Sequence, residues 1–328
     1  MLFRSKGVFG QVNYDLTDNL TLTAGARWTK STKLLDISQF RTPGDRTNPV
    51  EVGQGKQVTD EVTPLLSLSW DVSDDIMIYG TYSQGFKNGG FGGRFPGGLP
   101  NPLPFYDPEY VDNYELGIKA QFLDGRMRMN LAAFTMDYQD MQVSATDPDL
   151  PVNVSKANLG SATIQGLEAE VTALVGENFT FGVNLGLLDD KIDQLGSGGT
   201  LVSSGVVITD SNDLPYTPDW TLGLMAKYER ELSDGAVVSL RADYSIKDDY
   251  YDRIENILET LHDDYRNLNL GASYTTANGS WIASANVINA TNETYYLSAT
   301  PFRNLNYTWG MPVRPRTFQF SLQYNFGN

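Results

Sequence analysis

Residues 317–326 alternate without a break: Phe318, Phe320, Leu322, Tyr324 and Phe326 take every second position, and Thr317, Gln319, Ser321, Gln323 and Asn325 fill the gaps. A period of two places all the apolar side chains on one side of an extended strand and cannot form a helical stripe. The pattern recurs along the chain. Leu20, Leu22, Ala24, Ala26 and Trp28 oppose Thr21, Thr23, Gly25 and Arg27, and Trp220, Leu222, Leu224, Ala226 and Tyr228 oppose Thr221, Gly223, Met225 and Lys227. Val238, Leu240 and Ala242 likewise oppose Ser239, Arg241 and Asp243. Such strands average out to a polar hydropathy, here −0.31, even when one face meets hydrocarbon. No run approaches about 18 consecutive apolar residues, which excludes a helical membrane span.

Two kinds of turn separate the runs, and they alternate. Short turns fall at Asp15–Asn19, Val72–Asp75, Asp124-Gly125, Gly176–Asn178, Ser233–Gly235 and Thr276–Gly279, rich in the Asp, Asn and Gly that tight hairpins need. Long connections fall near 39–57, 89–107, 147–157, 194–215, 251–263 and 291–315. This order puts every extended connection at one end of the sheet, as in an outer-membrane barrel with short periplasmic turns and long extracellular loops. Beside the short turns stand Tyr14, Trp70, Phe122, Phe179, Tyr228, Tyr274, Trp281 and Phe326. One such ring is ordinary cross-strand packing; a set at equivalent positions reads as an interfacial aromatic girdle.

The expected fold is therefore all-β: an antiparallel up-and-down transmembrane β-barrel, with about 13 strands of a larger barrel in residues 1–328. Single-chain bacterial barrels have even strand numbers, so further strands are expected before Met1. The opening Met1–Gly7 lacks the apolar core of a signal peptide, and a longer parent chain is expected. Two segments depart from simple alternation. In Arg126–Met141 the apolar parity moves from Met127, Met129 and Leu131 to Phe134, Met136 and Tyr138, which predicts either a bulge or an inward aromatic row. Ile254, Ile257, Leu258 and Leu261 have helical spacing inside a long loop and predict either a short helix or extended structure.

Composition removes several function classes. The chain has no Cys and one His, which excludes thiolate sites and multi-histidine metal centres. A net charge of −16 argues against nucleic acid as a partner. Its acidic runs, such as Asp189-Asp190, Asp248-Asp249 and Asp263-Asp264, sit where strands give way to loops. Gly89-Gly90 and Gly92-Gly93 lack the ending of a phosphate-binding loop, and His262 lies in a loop away from any serine on a strand. No catalytic residues, cofactor or resident metal are expected.

Several segments, in this order and spacing, carry a family resemblance: Leu22–Thr29 (LTAGARWT), Tyr79–Phe91 (YGTYSQGFKNGGF), Glu109–Lys119 (EYVDNYELGIK), Gly166–Glu170 (GLEAE), Asn289–Tyr295 (NATNETY) and Phe320–Phe326. Together they resemble the C-terminal barrel of TonB-dependent outer-membrane receptors. The resemblance implies a bacterial outer-membrane location and about nine further strands. It also implies a plug domain elsewhere in the parent chain and coupling to TonB through that missing region. The cargo it implies is a small molecule, foremost a ferric siderophore. It makes Glu115 and Glu168, with Glu170 as second choice, lumen carboxylates that hold basic residues of the plug; the competing reading pairs them with Lys119 or Arg27 inside the barrel. It makes Phe326, with Tyr324, the signal read by the barrel-assembly machinery. On its residues alone, the Gly- and Pro-rich segment from Asn88 to Pro108, with Phe86, Phe91, Arg94, Phe95, Phe105 and Tyr106, reads as a candidate ligand loop or as a surface loop with packed rings. Two other classes stay open at this point: a passive porin-like channel and a secreted all-β binding protein.

Overall fold

The computed structural model describes residues 2–40, 51–92, 103, 105–146, 154–196, 202–203, 205–302 and 306–326. Thirteen strands form one antiparallel sheet in which each strand pairs with its neighbour in sequence. They are β1 Leu2–Thr17, β2 Leu20–Gln39, β3 Glu51–Ser73, β4 Ile76–Lys87, β5 Glu109–Phe122, β6 Met127–Gln139 and β7 Gly160–Val175. There follow β8 Phe179–Leu195, β9 Trp220–Glu231, β10 Val237–Lys247, β11 Tyr265–Thr275, β12 Trp281–Ile288 and β13 Thr317–Tyr324. Short turns close one end of the sheet and long connections the other, as the turn chemistry requires. Asp124 and Gly125 take positive φ in their turn, as do Gly176 and Gly235 in theirs.

Pairing fixes which face each residue shares. Leu20 opposes Trp70, Phe179 opposes Tyr228, and Trp281 opposes Tyr324, so the alternating apolar rows merge into one continuous outer face. All eight aromatics flanking the short turns belong to it. Phe179 and Tyr228 lie 4.9 Å apart between ring centres, and Trp281 and Tyr324 4.7 Å apart. The outward apolar rows run from Leu20 to Trp28 on β2, Phe122 to Tyr114 on β5 and Phe179 to Leu187 on β8. Each span is about 26 Å along the strand, or about 20 Å across the bilayer at a tilt near 40°. Beyond it the outward residues turn polar at once. Trp28 Nε1 donates to Asp60 at 2.7 Å, Lys30 pairs with Asp60 at 2.6 Å, and Gln165 Nε2 donates to Asp189 at 2.6 Å.

β2 and β3 overrun this border. The expected long loop near 39–57 is in part strand: Lys33–Gln39 pair with Glu51–Gln57. Of the two readings of residues 126–141, the structure takes the inward row. β6 keeps an unbroken register with both neighbours from Met127 to Tyr138, and Phe134, Met136 and Tyr138 point into the barrel. They pack there against a buried cluster of Val143, Leu159, Ile164, Ile192, Ile208, Leu214 and Ile254, which draws on the long connections after β6, β8 and β10. The parity change thus marks where inward residues stop facing water and start facing a loop core. In the 251–263 connection a single 3₁₀ turn, Leu258–Thr260, is all the helix that forms. Ile254 is fully buried, whereas Leu258 is left exposed.

The long connections carry two-stranded ribbons of their own: Gly90–Phe91 with Phe105–Tyr106, Gln142–Thr146 with Val154–Asn158, Tyr250–Tyr251 with Leu261–His262, and Tyr296–Phe302 with Tyr307–Pro312. His262 ties two of these together. Its Nδ1–H donates to the Tyr296 carbonyl at 2.8 Å, and its Nε2 lies 3.1 Å from Asp252 Oδ2. Both side chains are buried, and the imidazole stacks on Tyr250 at 4.8 Å.

Candidate functional site

Two places inside the barrel gather polar side chains. The first is on the wall. Alternation on β5 and β7 turns Glu115, Glu168 and Glu170 inward, and the register sets Glu168 opposite Ala132 and Gly186, and Glu170 opposite Asn130 and Asn184. All three carboxylates line one groove of ≈ 410 Å³ with Tyr79, Asn130, Asn184 and Thr221. Tyr79 O–H donates to Glu115 Oε1 at 2.6 Å, and Asn130 Nδ2–H to Glu170 Oε2 at 3.1 Å. The first of these bonds depends on a glycine: a Cβ at Gly117 would lie 2.4 Å from the Tyr79 ring, which crosses that position to reach Glu115. Neither candidate cation of the barrel forms an ion pair with the set among the described residues. Lys119 Nζ sits over the Tyr79 ring at 5.4 Å, while Arg27 Nε donates to Thr29 at 3.2 Å and its guanidinium lies 6.0 Å from the Phe9 ring. Among the described residues no ion pair reaches Glu115, Glu168 or Glu170.

The second place is a cavity of ≈ 410 Å³ at the outer mouth. Lys87 and Glu109 reach it from the outer ends of β4 and β5, Tyr138 from β6 and Ile164 from β7. Met141–Ser144 and Lys156 come from the connection after β6, Leu214–Tyr216 from that after β8, Asp252–Ile254 from that after β10, and Ser298–Thr300 from that after β12. Buried Gln142 fixes one side: its Nε2 donates to the carbonyls of Asp107 at 3.0 Å and Asn88 at 3.2 Å, and its N–H to Glu109. Arg253 fixes another, donating to Thr300 Oγ1 at 3.1 Å. Burial, and then the neighbouring Lys87 charge, hold the Lys156 ammonium below its ordinary pKa, with Glu109 acting the other way.

The candidate ligand loop lies elsewhere. Phe86 pairs with Tyr110 on the outward face. The Phe91 ring covers Gly55, where a Cβ would come within 2.6 Å of it. The Tyr106 carbonyl accepts Gln57 Nε2–H at 2.9 Å, and Phe105 is exposed. Arg94 and Phe95 lie outside the described residues. None of Phe86, Phe91, Phe105 and Tyr106 lines the mouth cavity. Of the cavity's own residues the sequence singled out Tyr138, whose inward turn the parity change signals, and Ile254, read there only for its helical spacing; its charged residues were not marked as a site. Past β13, Phe326 is 89% exposed and meets Tyr324 edge-on at 4.7 Å; Gly327 and Asn328 are outside the described residues.

Known proteins share this architecture. The family model described as TonB dependent receptor-like, beta-barrel, matches residues 3–290. The ferric-pyoverdine 358 receptor of Pseudomonas putida is 25% identical over 331 aligned positions, covering 98% of this chain and 35% of its own length. The ferric-pyoverdine M114 receptor PbuA of Pseudomonas sp. is 30% identical over 179, covering 53% of this chain and 20% of its own length. The crystal structure of the ferric yersiniabactin uptake receptor FyuA from Yersinia pestis superposes with a TM-score of 0.78 at 20% identity, over 99% of this chain and 46% of that one. The chain thus spans about a third or less of the length of these curated relatives. With the family model spanning most of the sequence, and the lipid-facing rows and short-turn girdle in place, the chain belongs to the β-barrel family of TonB-dependent receptors of the bacterial outer membrane.

Proposed function

We propose that this chain forms part of the wall of a receptor that takes up a ferric siderophore with energy delivered through TonB. The observation that carries the reading is the groove holding Glu115, Glu168 and Glu170. Three inward carboxylates gathered in one groove, none of them in an ion pair among the described residues, favour a cationic partner. A plug domain with basic side chains supplies one, and a passive channel has no use for it. Relatives named for ferric siderophores supply the cargo class. In the same reading Phe326, edge-on to Tyr324 at the periplasmic end, serves as the assembly signal.

In the full-length receptor, Glu115→Ala with Glu168→Ala is expected to loosen plug retention, seen as faster protease cleavage of the plug and raised permeability to large antibiotics. Conservative Glu115→Gln with Glu168→Gln, which keeps size and removes charge, should reproduce the effect. Wild-type plug retention in both double variants removes the carboxylates from this role. Growth on the ferric chelate without TonB removes the energised reading itself.

A further inference from the structure

The outer-mouth cavity holds more positive charge than its carboxylates offset. Lys87, Lys156 and Arg253 line it, against Glu109 and Asp252. Both carboxylates are already engaged. Glu109 accepts the Gln142 N–H and faces Lys87 at 3.7 Å, and Asp252 Oδ2 accepts the Ala299 N–H at 2.7 Å with His262 Nε2 at 3.1 Å. Arg253 is held by a hydroxyl and a carbonyl, Thr300 Oγ1 and Ala299 O, neither of which cancels its charge. Lys156 makes no ion pair among the described residues. This positive pocket belongs to a chain of net charge −16. The acidic side chains Asp190, Asp219 and Asp249 act on Asp213, and none of the four lines the cavity.

We infer that the cavity takes a ligand presenting anionic oxygens, held by Lys87, Lys156 and Arg253, together with one N–H or O–H donor directed at Asp252. The donor follows from Asp252 Oδ1, which is buried with no hydrogen-bond partner among the described residues. Tyr138 adds an aromatic surface in the same cavity. The inference rests on the uptake reading and names its cargo class: a negatively charged chelate, not a neutral or cationic one. An anion bound there offsets the repulsion that Lys87 exerts on Lys156.

The test uses the full-length receptor, plug included, in outer-membrane vesicles, with two radio-iron-labelled probes of similar size. One is a trianionic ferric tris-catecholate and the other a neutral ferric tris-hydroxamate. The anionic probe is expected to bind roughly tenfold or more tightly than the neutral one and to weaken in high salt. Lys87→Gln and Lys156→Gln should each weaken it by about fivefold while leaving the neutral probe unchanged, and Lys156→Arg should restore it. Equal or tighter binding of the neutral probe, no binding of the anionic probe, or unaltered anionic binding in the Lys87→Gln/Lys156→Gln double variant overturns the inference. TonB-dependent growth on a neutral ferric chelate would then leave the uptake reading standing, whereas loss of growth on every chelate tried would remove both.

Discussion

Single polar side chains organise the outer mouth. Gln142 is one, buried and bonded to two carbonyls of a neighbouring connection. Asn256 is another: its Oδ1 accepts the Asp213 backbone N–H at 2.6 Å and its Nδ2–H donates to the Asp213 backbone carbonyl at 3.1 Å. Burial, followed by repulsion from Asp190, Asp219 and Asp249, pushes the Asp213 carboxyl above its ordinary pKa. A raised folded-state pKa means that the folded mouth binds protons more tightly than the unfolded one. The contribution is full at pH below the ordinary carboxylate value and disappears as pH rises through the raised one. Hydrogen exchange in 205–219 of the full receptor should therefore be faster at pH 7 than at pH 4.5 after correction for intrinsic rates, and Asp213→Asn should flatten that dependence. An unchanged pH profile in the variant would assign it to another group. None of this was legible in the sequence. Asp213, Gln142 and Lys156 act through partners some tens of residues away, and no local pattern marks them. Glu115 and Glu168 were named through the family resemblance, and the alternation of their strands turns them inward.

At the scale of the strand, the sequence was far more informative. A row such as Trp220–Tyr228 needs only its period to declare its faces, and the register then adds the partners. The difficulty came where a strand changes what its inner face meets, as β6 does at Phe134, or where strands outrun the bilayer, as β2 and β3 do. Period two persists there while the environment changes. The two faces of β9 provide a direct check. Leu224→Lys puts a charge at the middle of the apolar band and is expected to cost about 2–4 kcal/mol in bilayer unfolding of the receptor, whereas Met225→Lys, one residue on and facing inward, should stay within about 1 kcal/mol. Equal costs at the two positions would contradict the assigned faces.

The whole sheet has two open margins among the described residues: β1 pairs only with β2, and β13 only with β12. β1 is exposed on both faces along its whole length. Its unpaired N–H and C=O groups are costly in hydrocarbon and offer a template for further strands. The 328-residue chain expressed alone and refolded in detergent is thus expected to form large assemblies and to lack the heat-modifiable band of a closed barrel on gel electrophoresis. A monodisperse, heat-modifiable species would show that the margins close on one another.

The overrun of β2 and β3 has a further consequence. With 20 and 23 residues at about 3.3 Å each and a tilt near 40°, they rise roughly 50–58 Å, against a hydrocarbon layer about 25 Å thick. On that side the rim therefore stands well clear of the lipid headgroups. A molecule approaching that side from the water meets a paired-strand palisade before it reaches the membrane plane.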